Sequence, residues 1–254
     1  SIGSLISGTG LFGAQTEITR LDDGGFAVVW RTHDGTTTGV TARVMNSDGT
    51  ARTAASVLAG DNVADISSLS NGGFIVTYDA AGALKATIFN ASGAVTVPAF
   101  TVNTTASAAR YESTVTRSDD GFIVVWESST GDGNGSAILV QRFDAAGAKV
   151  GGEVVVNQTT TGSQQKPEVV QTAAGKVVAV WQSENVDAAL TGIAVRAFAT
   201  GNATVVENAA NGTRVADVIG VFDVDESVGP RMLAARPVGD LEGFCVLLFK
   251  VPHD

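Results

Sequence analysis

The feature that most constrains the fold of this chain is a short segment that occurs four times. Residues 21–30 read LDDGGFAVVW, and residues 69–78 read LSNGGFIVTY. Residues 118–126 form a third copy, SDDGFIVVW, and residues 172–181 form a more divergent fourth, TAAGKVVAVW. The aromatic residues that close the first three copies are 48 residues apart, and the next one follows after a spacing seven residues longer. A fixed period of this size indicates a repeat architecture.

Each copy is accompanied by the same neighbours, which predict three further strands per repeat. A short strand precedes the copy, a third strand follows it, and a fourth follows a glycine turn. The Asp-Gly-Gly and Asn-Gly-Gly steps supply the positive φ angles of tight hairpins, so they mark the turn between the first and second strands. About 40–50 residues and four strands per unit are typical of a β-propeller blade. The predicted first strands are residues 17–21, 65–69, 113–117 and 168–172, the third strands are 40–45, 84–89, 138–143 and 193–198, and the fourth strands are 53–58, 95–102 and 153–157.

The two ends of the chain resemble pieces of one more blade. Residues 1–10 are similar to the fourth strand of a repeat, and residues 230–235 and 241–249 echo the first two strands. We therefore predict an all-β fold, a β-propeller of five four-stranded blades, with four blades as the alternative. Residues 1–200 would form the repeat-built blades, and residues 201–254 would contain the last strands, which close the ring with residues 1–10.

The composition of the chain excludes several classes of partner. Its 26 acidic and 16 basic residues give a formal net charge of −10, which repels nucleic-acid backbones and anionic membranes. There is no run of about 18 apolar residues, so we expect no membrane insertion. The 44% apolar content and the 30 glycines fit many short strands around a sizeable core.

In these repeats the sequence resembles a known family. The family repeat is written Gln-x-x-Pro, Asp-Gly-Gly-Phe-Val-Val-Val-Trp, Phe-Asp-x-x-Gly and Val-Asn-Thr-Thr, and it occurs in very large secreted proteobacterial proteins, often beside calcium-binding RTX repeats. The closest match is the third copy, with QRFDAAG at residues 141–147, EVVVN at 153–157 and QQKP at 164–167. The resemblance covers roughly residues 11–200 and implies an extracellular or cell-surface location.

A second resemblance begins after the repeats. Residues 206–215, VENAANGTRV, and the Asp-x-Asp of residues 223–225 are similar to the opening of bacterial cadherin-like modules. In that family the corresponding acids bind calcium, so the resemblance implies a calcium site at Glu207, Asp223 and Asp225. The sequence lacks the Tyr-x-Leu strand that follows in the family, and the alternative is a linker whose acids face water.

The sequence offers few candidates for catalysis. Its only histidines are His33, in a predicted loop, and His253, near the C-terminus, and neither is placed as a buried catalytic base. A carboxylate pair can cleave glycosides without histidine. Asp79 and Glu127 directly follow two of the repeat aromatics, at positions that Arg31 and Gln182 occupy in the other copies, and they are the best acid candidates. The loop of residues 132–136, DGNGS, has the oxygen spacing of a calcium loop but lacks its closing glutamate.

From these features we expect a non-catalytic extracellular recognition or adhesion module. Binding propellers tend to keep their blades alike, whereas enzymes place unlike residues around one pocket. The expected partner is a glycan or a cell-surface polysaccharide. The alternatives are a carbohydrate-cleaving enzyme that uses Asp79 or Glu127, and a structural spacer. The predicted ligand-binding rim is made by the turn residues Asp22, Asp23, Asn71, Asp119 and Asp120.

Overall fold

A computed structural model describes residues 15–33, 38–104, 109–172, 176–184 and 191–199 of the chain. These residues form β-strands, turns and loops, and no helix occurs among them. The expectation of an all-β fold is confirmed. All of them belong to one compact unit, Ser1–Phe222, and the second unit, Asp223–Asp254, lies outside the described residues.

The strands form four antiparallel sheets that follow one another along the chain, each in the order of the sequence. Three sheets have four described strands, and the fourth has three. No closed sheet is formed by the part of the chain that the structure describes. The first sheet contains β1 (Thr16–Arg20), β2 (Phe26–His33), β3 (Thr38–Met45) and β4 (Ser56–Leu58), the second β5 (Asn62–Ser68), β6 (Phe74–Ala80), β7 (Ala83–Phe89) and β8 (Val95–Thr101), the third β9 (Ala109–Ser118), β10 (Gly121–Ser128), β11 (Ala137–Asp144) and β12 (Lys149–Val155), and the fourth β13 (Gln164–Gln171), β14 (Lys176–Glu184) and β15 (Thr191–Ala199).

The repeat predicts every one of these strands, but several boundaries differ by three or four residues. β12 begins at Lys149 and ends at Val155, whereas the sequence predicts residues 153–157. The strand starts earlier because it pairs with β11 on both sides of a β-bulge, which lies between Val140 and Arg142. The predicted strands in residues 1–10 and 230–249 lie outside the described residues.

The turn between the first and second strands has the chemistry that the sequence predicts. Gly24 and Gly72 have φ angles of 87° and 82°, which side chains rarely adopt. In the same turns Asp23 Oδ1 accepts a hydrogen bond from Gly25 N at 2.9 Å, and Asn71 Oδ1 accepts one from Gly73 N at 3.0 Å. These acidic and amide side chains therefore shape the hairpin.

The core lies between successive sheets. Because side chains alternate along a strand, each central strand sends one set to the preceding sheet and the other to the following sheet. In β6, for example, Phe74, Val76 and Tyr78 pack with the first sheet, whereas Ile75 packs with the third. A third cluster joins Ile123 and other residues of the third sheet to the fourth. Both faces of the inner sheets are therefore buried, as expected for blades packed face to face.

The aromatic residues of the repeat belong to this core. Tyr78, Trp126 and Trp181 are buried, and Trp30 is partly buried. Stacked phenylalanine pairs add to the same core. The rings of Phe74 and Phe89, for example, are nearly parallel, with centroids 4.8 Å apart.

The Val-Asn and Gln-x-x-Pro parts of the repeat join consecutive sheets. Asn157 Oδ1 accepts a hydrogen bond from Ile138 N at 2.8 Å, and its amide donates to Gln164 Oε1 at 3.0 Å and to Asp132 Oδ2 at 2.7 Å. Gln164 opens β13 and is fully buried. In the preceding repeat Asn103 likewise accepts a hydrogen bond from Leu84 N. A side-chain amide thus fixes where each sheet ends and the next begins.

The first strands, β1, β5, β9 and β13, are sheet edges that contact one another in order, and we call them the inner strands. Their unpaired edge groups are satisfied by side chains from the preceding inner strand. Thr19 Oγ1 accepts from Ser68 N at 3.1 Å, and Thr116 Oγ1 accepts from Gln171 N at 3.3 Å. Since unpaired edge strands are sites of unwanted association, this pattern stabilises the joined arrangement. No described helix is long and apolar enough to cross a membrane.

Candidate active site

The inner strands carry polar residues at one shared register position. The position is the one that pairs with the second strand two residues before the residue that follows the repeat aromatic, which is Arg31, Asp79, Glu127 or Gln182. It is occupied by Glu17, Asp65, Thr114 and Glu168 in the four sheets. Their partners are Val29, Thr77, Val125 and Val180. We call these four residues the inner-strand set. Three of the four are carboxylates, on β1, β5 and β13; β1 contacts β5, and β9 contacts both β5 and β13.

β-Bulges lie directly before two of these carboxylates. In β5 the register shifts between Val63 and Asp65, and in β13 it shifts between Gln165 and Glu168. The second bulge contains Lys166, whose φ angle of 53° is rare for a residue with a side chain. Bulges are common beside functional sites because they redirect the next side chain. The backbone is therefore strained at Lys166, two residues before Glu168.

Asp65 accepts hydrogen bonds from its own strand, β5, and from the neighbouring inner strand, β9. Its Oδ2 accepts hydrogen bonds from Thr114 Oγ1 at 2.9 Å and from Val115 N at 2.7 Å, and its Oδ1 accepts one from Ile66 N at 2.7 Å. Burial raises the pKa of Asp65 to about 6 although these donors oppose the rise, and the charge of Glu168 adds to it. Asp65 therefore binds a proton at a higher pH than an ordinary aspartate does.

Glu168 faces the same hydroxyl from the other side. Its Oε2 lies 3.5 Å from Thr114 Oγ1, so the carboxylates of Asp65 and Glu168 are separated by a single hydroxyl group. Burial of the carboxyl raises the pKa of Glu168, and the charges of Glu17 and Glu112 raise it further. The side chains of Glu168 and Glu17 are both exposed, so a bound molecule can reach them.

This arrangement can perform acid–base chemistry. One carboxyl of a repelling set retains a proton while a second stays ionised, which is the combination that general acid and general base catalysis require. Neighbouring carboxyls with pKa values pushed upward are also a mark of functional sites in general.

Asp79 and Glu127, the acid candidates from the sequence, are buried between sheets and not on the inner strands. Asp79 is 5% exposed, and its Oδ2 has no hydrogen-bond partner. Burial and the charge of Asp61 raise the pKa of Asp79 to about 6. Glu127 is 3% exposed. Neither is as accessible to a large substrate as Glu17 and Glu168 are.

The predicted ligand rim lies at the opposite end of the sheets, in the turns between first and second strands. Asp23 forms an ion pair with Arg52, which lowers the pKa of Asp23 through a hydrogen bond. Asp120 pairs with Arg142, and Asp22 lies 3.4 Å from Arg117 of the third sheet. Asn71 shapes its own turn, and Asp119 is exposed. A ligand role for these five residues stays a prediction.

The described residues contain no group of three or more histidine, cysteine, aspartate or glutamate side chains that could hold a metal ion. In the loop of residues 132–136 the Asp132 carboxylate accepts hydrogen bonds from Asn134 N and from the Asn157 amide, so these bonds hold the loop in place. The predicted calcium ligands Glu207, Asp223 and Asp225 lie outside the described residues, and so does His253.

Sequence reasoning missed the inner-strand set, although a signal for it exists. Glu17, Asp65 and Glu168 are the first residues of three predicted first strands, and an acidic residue recurs there at a position where a packed strand needs none. The fourth member is hidden because the 48-residue spacing points to Ser113. The turn that pairs Ser118 with Gly121 is one residue shorter than the turns of the first two copies, so Thr114 pairs with Val125.

No protein-family model and no curated protein matches the chain. Among solved structures the chain is similar to the GH93 α-L-arabinofuranosidase of Fusarium graminearum in complex with arabinobiose, with 10% identity and a TM-score of 0.50. The match covers 72% of this chain and 61% of that enzyme. Weaker likenesses are to a thermostable family-43 glycoside hydrolase (13% identity, 74% and 69% covered, TM-score 0.43) and to an endo-arabinase of Bacteroides thetaiotaomicron (12% identity, 74% and 76% covered, TM-score 0.42). The likeness supports the propeller architecture.

These comparisons contradict two predictions from the sequence. The chain was expected to be a non-catalytic recognition or adhesion module, with an enzyme only as the alternative, yet the solved structure that it resembles at a TM-score of 0.50 is an α-L-arabinofuranosidase. The prediction was wrong because it rested on the likeness of the blades. That likeness concerns core positions, whereas the inner-strand set and the residues at the ends of the second strands differ from blade to blade.

Proposed function

We propose that this chain hydrolyses glycosidic bonds and that the inner-strand set supplies its acid and base. One observation carries the proposal: Asp65 and Glu168, from two different sheets, meet at one hydroxyl group, and the pKa values of both are raised. Glycoside hydrolases generally use two carboxyls of this kind, one protonated and one ionised.

Glu168 is the general acid in this proposal. Burial raises its pKa, which favours its protonated form, and it gives its proton to the glycosidic oxygen as the bond to the anomeric carbon breaks. Glu17 is the general base, because it is exposed and its charge reaches Glu168. It takes a proton from the water whose oxygen bonds to the anomeric carbon. Proton exchange with solvent then restores both groups.

Asp65 is the third member and stays anchored. Three hydrogen bonds hold it in place, so it is not free to move toward a substrate. Its charge disfavours ionisation of Glu168, since two carboxylates at this separation repel each other. We therefore assign Asp65 to maintaining the proton on Glu168.

A polysaccharide is the substrate class that fits. An acidic protein surface suits a neutral polymer better than an anionic one. The arabinofuranosidase with the similar fold has arabinobiose bound, which makes arabinose-containing polymers the first class to test. An extracellular location, implied by the resemblance of the repeats, agrees with a polymeric substrate.

The test is release of reducing ends from a panel of neutral polysaccharides, with arabinan and arabinobiose included. Product formation that follows enzyme concentration supports the proposal. A full panel without product, measured on chain shown to be folded by its thermal transition, contradicts it.

We further propose that the ring closes with a fifth blade built from both chain ends. The outward face of the first sheet exposes Ile18 and Val57, with 63% and 72% of their surface accessible, and the outward face of the fourth sheet exposes Val170, with 54% accessible. Ile193 lies on the same face of the fourth sheet. The first and the last described sheets thus each expose an apolar face, and exposed apolar faces are commonly buried in an interface. Residues 201–254, with the apolar runs at 230–235 and 241–249, are long enough to supply it together with residues 1–10.

A further inference from the structure

The hydroxyl between Asp65 and Glu168 has only one proton to give. Thr114 Oγ1 lies 2.9 Å from Asp65 Oδ2 and 3.5 Å from Glu168 Oε2, and a threonine hydroxyl is one donor with two acceptor lone pairs. It therefore donates to one carboxylate at a time. The shorter contact identifies Asp65 as the acceptor, because hydroxyl-to-carboxylate bonds are short.

The longer contact then lacks a proton as long as Glu168 is ionised. A separation of 3.5 Å is long for an O–H···O bond, and it fits two oxygen atoms that face each other without a hydrogen between them. Protonation of Glu168 supplies the missing hydrogen, which the free lone pair of Thr114 accepts. The protonated state completes a chain from Glu168 through Thr114 to Asp65.

We propose that Thr114 orders a single proton across this pair, accepting a hydrogen bond from protonated Glu168 while donating its own to ionised Asp65. The inference deepens the proposed function and rests on it, since it specifies how the acid of the hydrolase keeps its proton. Thr114 acts through Glu168 and is a positioning residue. Its side chain is buried, so it does not contact substrate.

The surroundings of Glu168 favour this proton. Among the described side chains, charges act on it from Glu17 on β1, Asp65 on β5 and Glu112 on β9, and these three groups are acidic. Asp65 and Glu168 therefore titrate as a coupled pair, so the first proton that leaves as the pH rises belongs to the two carboxyls together.

The test is carboxyl titration by 13C NMR of the full chain, with signals assigned through Asp65→Asn and Glu168→Gln. Thr114→Val keeps the shape of the side chain and removes the hydroxyl. We expect the pKa of Asp65 to rise, because it loses a donor, and that of Glu168 to fall, because its proton loses an acceptor. Thr114→Ser keeps the hydroxyl and is expected to keep both titrations.

Shifts in opposite directions support the proposal, whereas a rise at both carboxyls, or no change at Glu168, overturns it. Thr114→Ala gives the same readout if the valine variant does not fold. Because the titration needs no substrate, it is independent of the hydrolysis assay. A chain without hydrolytic activity that still shows the opposed shifts contradicts the proposed function alone.

Discussion

Thr114 Oγ1 lies 2.9 Å from Asp65 Oδ2, and the two residues are 49 positions apart, one more than the repeat spacing. This extra residue matters. A strict repeat would place Ser113 at this position, but the turn that pairs Ser118 with Gly121 is one residue shorter than the turns of the first two copies, so Thr114 takes the position. This difference in turn length helps to produce a set of unlike groups on a repeated scaffold.

The pH dependence of hydrolysis follows from the raised pKa of Glu168. Activity is expected to fall as the pH rises through that pKa, because the acid must hold its proton. Glu112→Gln removes one of the charges that raise the pKa, so the alkaline limb of the kcat profile is expected to move to lower pH with the maximal kcat kept. An alkaline limb that stays in place shows that Glu168 is not the acid.

Asp79 is expected to limit stability at neutral pH. Its folded pKa of about 6 exceeds the ordinary 3.8, so its ionised form is disfavoured in the fold and the chain becomes more stable as the pH falls through 6. Asp79→Asn removes this cost, which amounts to about 2–3 kcal/mol above pH 7.

The check is urea unfolding of wild type and Asp79→Asn at pH 8 and pH 5. The gain in the free energy of unfolding should be larger at pH 8. Asp119→Asn, at an exposed turn, is the matched control and should follow the wild type at both pH values. An equal gain at the two pH values rules out the ionised carboxylate as its cause.

Asn157 is expected to be the most sensitive of the polar residues between the third and fourth sheets. Asn157→Ala removes the hydrogen bonds to Ile138 N, Asp132 Oδ2 and Gln164 Oε1, so a loss of about 3 kcal/mol in unfolding free energy is expected. Asn134→Ala, in the exposed loop, should cost less than about 0.5 kcal/mol. Similar losses for the two variants would show that the network does not join the sheets.

The fifth blade can be tested at the apolar faces. Val170→Lys and Ile18→Lys cost almost nothing if these faces meet water, and about 2 kcal/mol or more if a blade covers them. Val95→Lys, on an outer strand of the second sheet, is the control and should be neutral. Neutral results at all three positions contradict closure by residues 201–254.

The strands of this fold are predictable from the sequence because a short apolar run that ends in an aromatic residue recurs after a glycine turn, at spacings of 48, 48 and 55 residues. The candidate site is less predictable. Glu17, Asp65 and Glu168 look like ordinary exposed acids at strand starts, and only the register and the bulges bring them to one level. Conversely, Asp23 and Asn71 stand out in the sequence, yet they shape turns.

The most direct test of the proposed hydrolysis compares Glu168→Gln with Asp144→Asn on whichever polysaccharide the wild type cleaves. Asp144 caps a turn between β11 and β12, and Asn90 performs the same role in the preceding repeat, so asparagine fits there. We expect Glu168→Gln to lower kcat by about 100- to 10 000-fold and Asp144→Asn to leave it unchanged. Glu168→Gln with wild-type kcat would contradict the assignment of the catalytic acid.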